Sequence, residues 1–328
     1  MALVAAIQED KYADNLPEPA FLRDPETDGS EEDYAEALER ARRVIHQARD
    51  AGPLVTACSG GTDSVVLVDI VAETLGPQPL VFCDTGMEYP ETRPFVEEIA
   101  RIYQAPLLIA RPAGTPLDCW QRKGWPFLGK LPARLWMQKH RGRSYGFRLN
   151  VTACCHAHKL APVRKLIKAE GFRVKLAGIR GDADDKLRGF RAHRDGAIYR
   201  NRESGTIQAH PLLGWTDGMV RKYTRDRRLP RHPLKARGII TTGCMYCGGG
   251  CQFSNSGYRI LRHINPEAWR RFFVEWRAGE ILLAIKHDRP LWLVQRAVQE
   301  LGGLDHLAAT RPALFDFCRL RPRQGYVK

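Results

Sequence analysis

From residue 54 to residue 178, short apolar runs alternate with amphipathic stretches. The runs at 54–58, 80–84, 106–110 and 173–178 have the length and apolarity of buried strands, and 63–75, 92–103 and 159–170 carry the 3.6-residue period of helices. Strand and helix in strict alternation predict an α/β fold with a doubly wound parallel sheet. Ahead of this body, Ser30-Glu31-Glu32-Asp33 has the pattern of a helix cap, and Ala35, Leu38, Ala41, Val44 and Ile45 continue it to about residue 51. Beyond Gly257 the pattern becomes helical. Asn265-Pro266-Glu267 supplies a cap and an N1 proline before Trp269 to Trp276, and further helical segments follow through Ile281, Leu282 and Ile285 and over 290–301. The expected organisation is an acidic leader and helix over 1–50, an α/β body over 51–257 and a helical region over 258–328.

Composition narrows the class. The 328 residues, 44% hydrophobic, suffice for a large core. No segment approaches the roughly 20 apolar residues of a membrane span, and the polar, acidic first 50 residues lack the basic start and apolar core of a signal peptide. A cytoplasmic protein is expected. Nine unevenly spaced cysteines in such a chain point to metal or redox chemistry rather than a disulfide framework. Cys58, Cys83 and Cys119 are set aside from that chemistry, the first two as small apolar residues of buried strands.

The first candidate site follows the first strand. Ser59-Gly60-Gly61-Thr62-Asp63-Ser64 stands between an apolar run and a helix, where free amides and the helix dipole hold a phosphate. A bare Gly-Gly turn is often only structural, but the whole hexapeptide in this setting points to a ligand. It resembles the PP-loop of ATP pyrophosphatases; a Walker loop needs a Gly-Lys-Ser/Thr ending that this chain lacks. One strand later, Asp84-Thr85-Gly86 begins a second loop ending Pro90-Glu91-Thr92, at the strand edge where open α/β sheets bind nucleotides.

Asp-Thr-Gly-x-x-x-Pro-Glu-Thr after a PP-loop resembles the phosphoadenosine phosphosulfate reductase family. Further matches follow in order: Cys154-Cys155-x-x-x-Lys159-x-x-Pro162, Gly178-Ile179-Arg180 with Arg188, Pro211-Leu212-x-x-Trp215-Thr216, Leu229-Pro230-x-x-Pro233-Leu234, and Gly243-Cys244-x-x-Cys247. The likeness covers roughly residues 50 to 255. It implies the adenine nucleotide alpha hydrolase type of fold, with ATP held by Ser59, Gly60, Gly61, Thr62, Asp63, Ser64, Asp84, Thr85, Gly86 and Gly178. Catalytic candidates are Asp63, with Arg180, Lys186 or Arg188 placed to neutralise phosphate charge. Asp63 and Asp84 are the expected oxygen ligands of Mg²⁺.

Cys154, Cys155, Cys244 and Cys247 form the second candidate site. Four thiolates from two segments suit zinc or an iron-sulfur cluster, which spacing does not separate. The resemblance implies a 4Fe-4S cluster, since cluster-bearing adenylylsulfate reductases share the pattern of an adjacent pair and a later Cys-x-x-Cys. Where family members commonly carry proline, this chain has Gly248-Gly249-Gly250-Cys251; Cys251 is a spare thiol that could replace a ligand, carry sulfur, or lie in a flexible turn. Sulfonucleotide reductases also carry a C-terminal Glu-Cys-Gly-x-His thiol, whereas Cys318 here stands in Asp316-Phe317-Cys318-Arg319-Leu320.

Charge adds an independent clue. Against 37 acidic residues stand 51 Lys and Arg, a net +14. Residues 221–237 hold eight Lys or Arg and one acid, with Arg227 and Arg228 expected to be exposed to phosphate. Arg134, Lys139, Arg141, Arg143 and Arg148 are interleaved with Trp136, Tyr145 and Phe147, the residue types that attract phosphate and stack bases. A solvated basic face, or cations serving one small nucleotide, is the plainer explanation of either patch.

Three functions fit these features. The first is an ATP pyrophosphatase that activates a nucleic acid for sulfur incorporation, resembling cluster-bearing enzymes of DNA phosphorothioation systems, with DNA favoured over tRNA and a cysteine desulfurase as sulfur donor. The second is an assimilatory adenylylsulfate or phosphoadenylylsulfate reductase, which leaves the charge and the Cys318 context unexplained. The third, a catalytically idle nucleic-acid-binding protein, sits poorly with an intact PP-loop. The sequence leaves the oligomeric state open, an oligomer included.

Overall fold

The computed structural model describes residues 2–8, 31–181, 196–202, 204–236, 242–248 and 257–316. Ser30, Lys186, Arg188, Cys251 and Cys318 lie outside the described residues. The chain divides into two compact units. One, the sheet unit, comprises Phe21–Ala113 and His158–Thr242; the other, the helical unit, comprises Met1–Ala20, Gly114–Ala157 and Gly243–Lys328.

The sheet unit is built on six strands: β1 (Leu54–Ala57), β2 (Leu80–Cys83), β3 (Leu107–Ala110), β4 (Val174–Leu176), β5 (Ile198–Arg200) and β6 (Ile207–Ala209), in the order β3-β2-β1-β4-β6-β5. All neighbours are parallel except β5 and β6, which pair antiparallel with Tyr199 opposite Gln208. Successive strands step outward from β1 through β2 to β3, and β4 then returns to the other side of β1. The carboxyl ends of β1 and β4 therefore flank a switch point, where open α/β sheets bind ligands. The four anticipated strands are present; β5 and β6, of three residues each, are additional. Cys58 and Asp84 follow their strands but extend the ladder, their amides donating to Val81 and Ala110.

Helix Glu31–Asp50 packs into the core of the sheet unit because Ala37, Ala41, Val44, Ile45 and Ala48 fall on one stripe and are all buried. Burying a side chain such as Ile45 contributes about 1.5–3 kcal/mol. Helix Thr62–Leu75 is buried from Ser64 to Val71, so Asp69 lies inside. A buried carboxylate is tolerated only when paired. Asp69 accepts bonds from Tyr103 Oη (2.8 Å), Tyr223 Oη (2.7 Å) and Arg227 Nε (3.2 Å), and Arg227 also pairs with Glu73. Arg227, expected from the sequence to face phosphate, is therefore engaged within the fold.

The helical unit has an aromatic core of Trp120, Phe127, Tyr258, Phe272, Phe273 and Phe315. Asn265 caps the following helix as its sequence implied, its Oδ1 accepting the Ala268 amide at 3.0 Å, with Pro266 at the first position. The helix expected over Trp269 to Trp276 instead gives way to a π turn, Arg271–Glu275. Phe315 and Asp316 are buried, and Asp316 forms a two-pronged pair with Arg262. No described helix is long and apolar enough to cross a membrane.

Candidate active site

In the sheet unit, the loop after β1 is closed by its own serines. Ser64 Oγ donates to the Gly61 carbonyl (2.7 Å) and accepts the Ser59 amide (3.2 Å), while the Gly61 amide reaches Ser59 Oγ at 3.4 Å. Gly60 takes φ +76°, which turns the chain from strand to helix. No side chain caps the helix at Gly61; the Ser64 and Val65 amides donate to the Gly61 carbonyl, and the positive end of the helix dipole favours an anion here. Gly178, at the end of β4, lies against this start: a Cβ there would stand 2.8 Å from the Asp63 carbonyl oxygen. Its place in the site is thus one of spacing, letting the two loops meet.

Charged side chains converge at the same edge. The Arg180 guanidinium, itself buried, donates to Asp63 Oδ2 and to Asp217 Oδ1, both at 3.2 Å, and Arg221 closes on the second Asp217 oxygen. Burial pushes the Lys235 ammonium below its ordinary pKa, opposed by the charges of Asp63 and Asp217. A phosphate entering here would relieve that cost. Asp217 and Lys235 were not singled out from the sequence; both directly follow quoted motifs, which is the signal that could have found them.

Asp84 occupies a turn at the end of β2. Its Oδ1 accepts the Gly86 amide at 3.3 Å, and its Oδ2 lies 3.4 Å from Arg93 and 3.3 Å from Arg111. Thr85 bonds through both amide and hydroxyl to Glu88. As potential Mg²⁺ ligands, Asp63 and Asp84 are each already neutralised by guanidinium groups, and a cation would have to displace them. The donor set at Asp84 fits a divalent metal poorly.

A model of the phosphoadenosine phosphosulfate reductase domain matches residues 53–249, which include both loops and the Arg180 segment. The chain belongs to the phosphoadenosine phosphosulfate reductase family. It is 27% identical over 229 residues to an adenosine 5'-phosphosulfate reductase of Geobacillus sp. (strain WCH70), covering 70% of this chain and 83% of that protein. To a phosphoadenosine 5'-phosphosulfate reductase of Alkalilimnicola ehrlichii it is 30% identical over 210 residues, covering 64% and 75%. Among solved structures it resembles the phosphoadenylyl-sulfate reductase of Candida auris, with a TM-score of 0.45 and 21% identity over 66% of this chain and 96% of that one.

The cysteines that this family member shares with the expected pattern lie in the helical unit. Trp120 Nε1 donates to Cys154 Sγ at 3.2 Å, and the same indole packs edge-on against Tyr246, inside Cys244-Met245-Tyr246-Cys247. The Cys247 amide closes a turn on the Cys244 carbonyl, and the Gly248 amide bonds to Pro126. A Cβ at Gly248 would meet the Phe127 carbonyl at 2.0 Å, which is a physical reason for glycine at this position. Burial pushes the Cys154 thiol up to about 12; the Trp120 bond opposes this, and the neighbouring charges of Cys155, Cys244 and Cys247 add to it. The two cysteine segments are thus brought together. Among the described residues, no three of His, Cys, Asp and Glu stand close enough to hold a single metal ion. Cys154 is buried, Cys155 exposed and Cys244 and Cys247 half-buried, so what the two segments offer is the soft donor chemistry of thiols rather than a formed site. Cys83, set aside from metal chemistry, instead donates its thiol to the His158 carbonyl (3.1 Å) in the π turn His156–Leu160.

Proposed function

We propose that this family member is a PP-loop ATP pyrophosphatase that activates a nucleic acid, DNA before tRNA, for sulfur incorporation. The observation that carries the reading is the uncapped helix start at the β1/β4 switch point, with Arg180 held beside it by Asp63 and Asp217. ATP would set its β- and γ-phosphates against the loop from Ser59 to Ser64, its oxygens replacing the serine hydroxyls as partners of the Ser59 and Gly61 amides, with Asp84, Thr85 and Gly86 bordering the nucleotide and any Mg²⁺ carried by the phosphates. An acceptor oxygen attacks the α-phosphorus, the bond to pyrophosphate breaks, and the acceptor becomes an AMP ester. Arg180 and Lys235 neutralise the departing charge; Arg188 is a further candidate for this. A cysteine desulfurase hands over sulfur as a persulfide, with Cys251 a candidate carrier; the terminal persulfide sulfur bonds to the activated centre as AMP leaves, and a dithiol reductant then breaks the remaining S–S bond with two electrons, freeing the sulfur-bearing acceptor and the carrier thiol. Cys154, Cys155, Cys244 and Cys247 would hold a 4Fe-4S cluster, which supplies a binding point or electrons for sulfur. The net charge of +14 supports a polyanionic acceptor.

The family relatives favour a second reading, sulfonucleotide reduction. Anaerobic protein incubated with ATP, and separately with adenylylsulfate and a thiol, separates the two. Pyrophosphate release supports the first reading, thiol-dependent sulfite release the second, and neither product an idle nucleotide fold. The same preparation should contain about four irons per chain, lost in Cys244→Ser; stoichiometric zinc would make the cysteines a structural site.

A further inference from the structure

The sequence between Asp118 and Glu170 contains no acidic residue, and its part within the helical unit, 119–157, carries eight Lys or Arg. Arg134, Arg141, Arg143 and Arg148 are all exposed. Among the described residues, Arg134, Arg141 and Arg148 have no acidic partner. The aromatics interleaved with them are not the stacking surface their spacing suggested. Trp136 and Tyr145 are buried, packed on each other at 4.9 Å and on His140, and Phe147 is half-buried against Trp136.

The exposed aromatic comes from far along the chain. Asp288 gathers Lys139, His140 and the Tyr145 hydroxyl, and the Leu291 amide donates to the Tyr145 carbonyl at 2.9 Å. These bonds lay residues 288–292 along the basic turn. Burial tends to raise the Asp288 pKa, but Lys139, Tyr145 and His140 together hold it below the ordinary carboxylate value, so the knot persists at neutral pH. Trp292, next in the chain, is 64% exposed. An exposed tryptophan is otherwise a poor surface residue.

We propose that this face of the helical unit binds single-stranded nucleic acid, with phosphates along Arg134, Arg141, Arg143 and Arg148 and one unpaired base stacked on Trp292. The inference rests on the nucleic-acid reading above and names the surface that reading lacks. Single strands are specified because duplex bases are already stacked on each other and leave Trp292 no face. The surface lies in the same unit as the cysteines: Trp120, whose indole touches Cys154, belongs to helix Pro116–Lys123, which also carries Arg122 and Lys123.

Fluorescence anisotropy of a labelled thymidine oligonucleotide with the full chain, across a salt series, tests it. Trp292→Ala should weaken binding about tenfold with the salt slope unchanged, because stacking displaces no counterion. Arg141→Glu with Arg143→Glu should weaken binding and flatten the log-log slope by about 1.4, at roughly 0.7 per phosphate on a single strand. Trp292→Phe should retain most of the affinity, and unchanged thermal melting checks that each variant folds. Affinity of Trp292→Ala within twofold of the parent overturns the proposal. So does a larger loss from Arg225→Glu with Arg228→Glu, in the sheet unit. If the expected pattern is seen but ATP yields no pyrophosphate, the surface stands and the proposed reaction falls; pyrophosphate release without the pattern removes the surface alone.

Discussion

Replacing Gly178 with alanine tests the proposed nucleotide site through its backbone. The new Cβ would lie 2.8 Å from the Asp63 carbonyl oxygen and 3.0 Å from its carbon, whereas ordinary contact begins at 3.4 Å. The loop after β4 and the start of helix Thr62–Leu75 must therefore separate by about 0.6 Å. Both neighbours are backbone, so no side chain can swing aside. Overpacking of this kind costs about 1–3 kcal/mol, read as a fall in melting temperature of roughly 3–10 °C. The same shift moves Asp63, and with it Arg180, relative to the loop proposed to hold phosphate. Misplacement on the ångström scale costs catalysis on the order of 10²-fold, so pyrophosphate release should drop about tenfold to a hundredfold. Gly243→Ala, where a Cβ meets nothing within 4 Å, is the control and should melt like the parent. A Gly178→Ala protein with unchanged melting and ATP turnover would refute the claim that this glycine exists to let the loops meet.

Two further outcomes follow from the sheet unit. His232 accepts the Leu234 amide at Nδ1 (3.2 Å) and lies 3.1 Å from Thr92 Oγ1 through Nε2, and burial lowers its pKa from 6.5 against the opposing charge of Glu91. Its folded pKa is depressed, so unfolding takes up a proton: its contribution to stability is complete above pH 6.5 and declines as pH falls below that value. Urea midpoints at pH 7.5 and 5.5 should differ less in His232→Gln than in the parent; equal differences would exclude this histidine as a source of the slope. Arg227→Ala should lower stability by about 1–2 kcal/mol in urea, because it strips one partner from the buried Asp69 while leaving the two tyrosine donors. If it instead weakened DNA binding at full stability, the residue would belong to a phosphate surface after all.

Periodic patterns read locally. Strands β1 to β4, the stripe of helix Glu31–Asp50, the Asn265 cap and the Ser-Gly-Gly-x-Asp-Ser loop were all legible because strand pleat, helix period and turn chemistry are properties of neighbouring residues. Strands β5 and β6 were not, since their pairing depends on the sheet already present. Charge was legible as a total but not as a surface. Arg227 and Arg134 look alike in sequence, yet one is bound to Asp69 and the other stands in solvent, a difference made by the partners brought to Arg227 from a helix more than 150 positions away. Tyrosine and tryptophan spacing misled for the same reason: Trp136 and Tyr145 turn inward, and Trp292 arrives beside the basic turn only because Asp288 and Leu291 are bonded there. The sequence by itself determined the first four strands, the helix Glu31–Asp50 and the place of the Ser-Gly-Gly-x-Asp-Ser loop between strand and helix. Only tertiary structure decided which charges meet partners and which aromatics meet water, because burial and pairing depend on contacts between segments that no local period encodes.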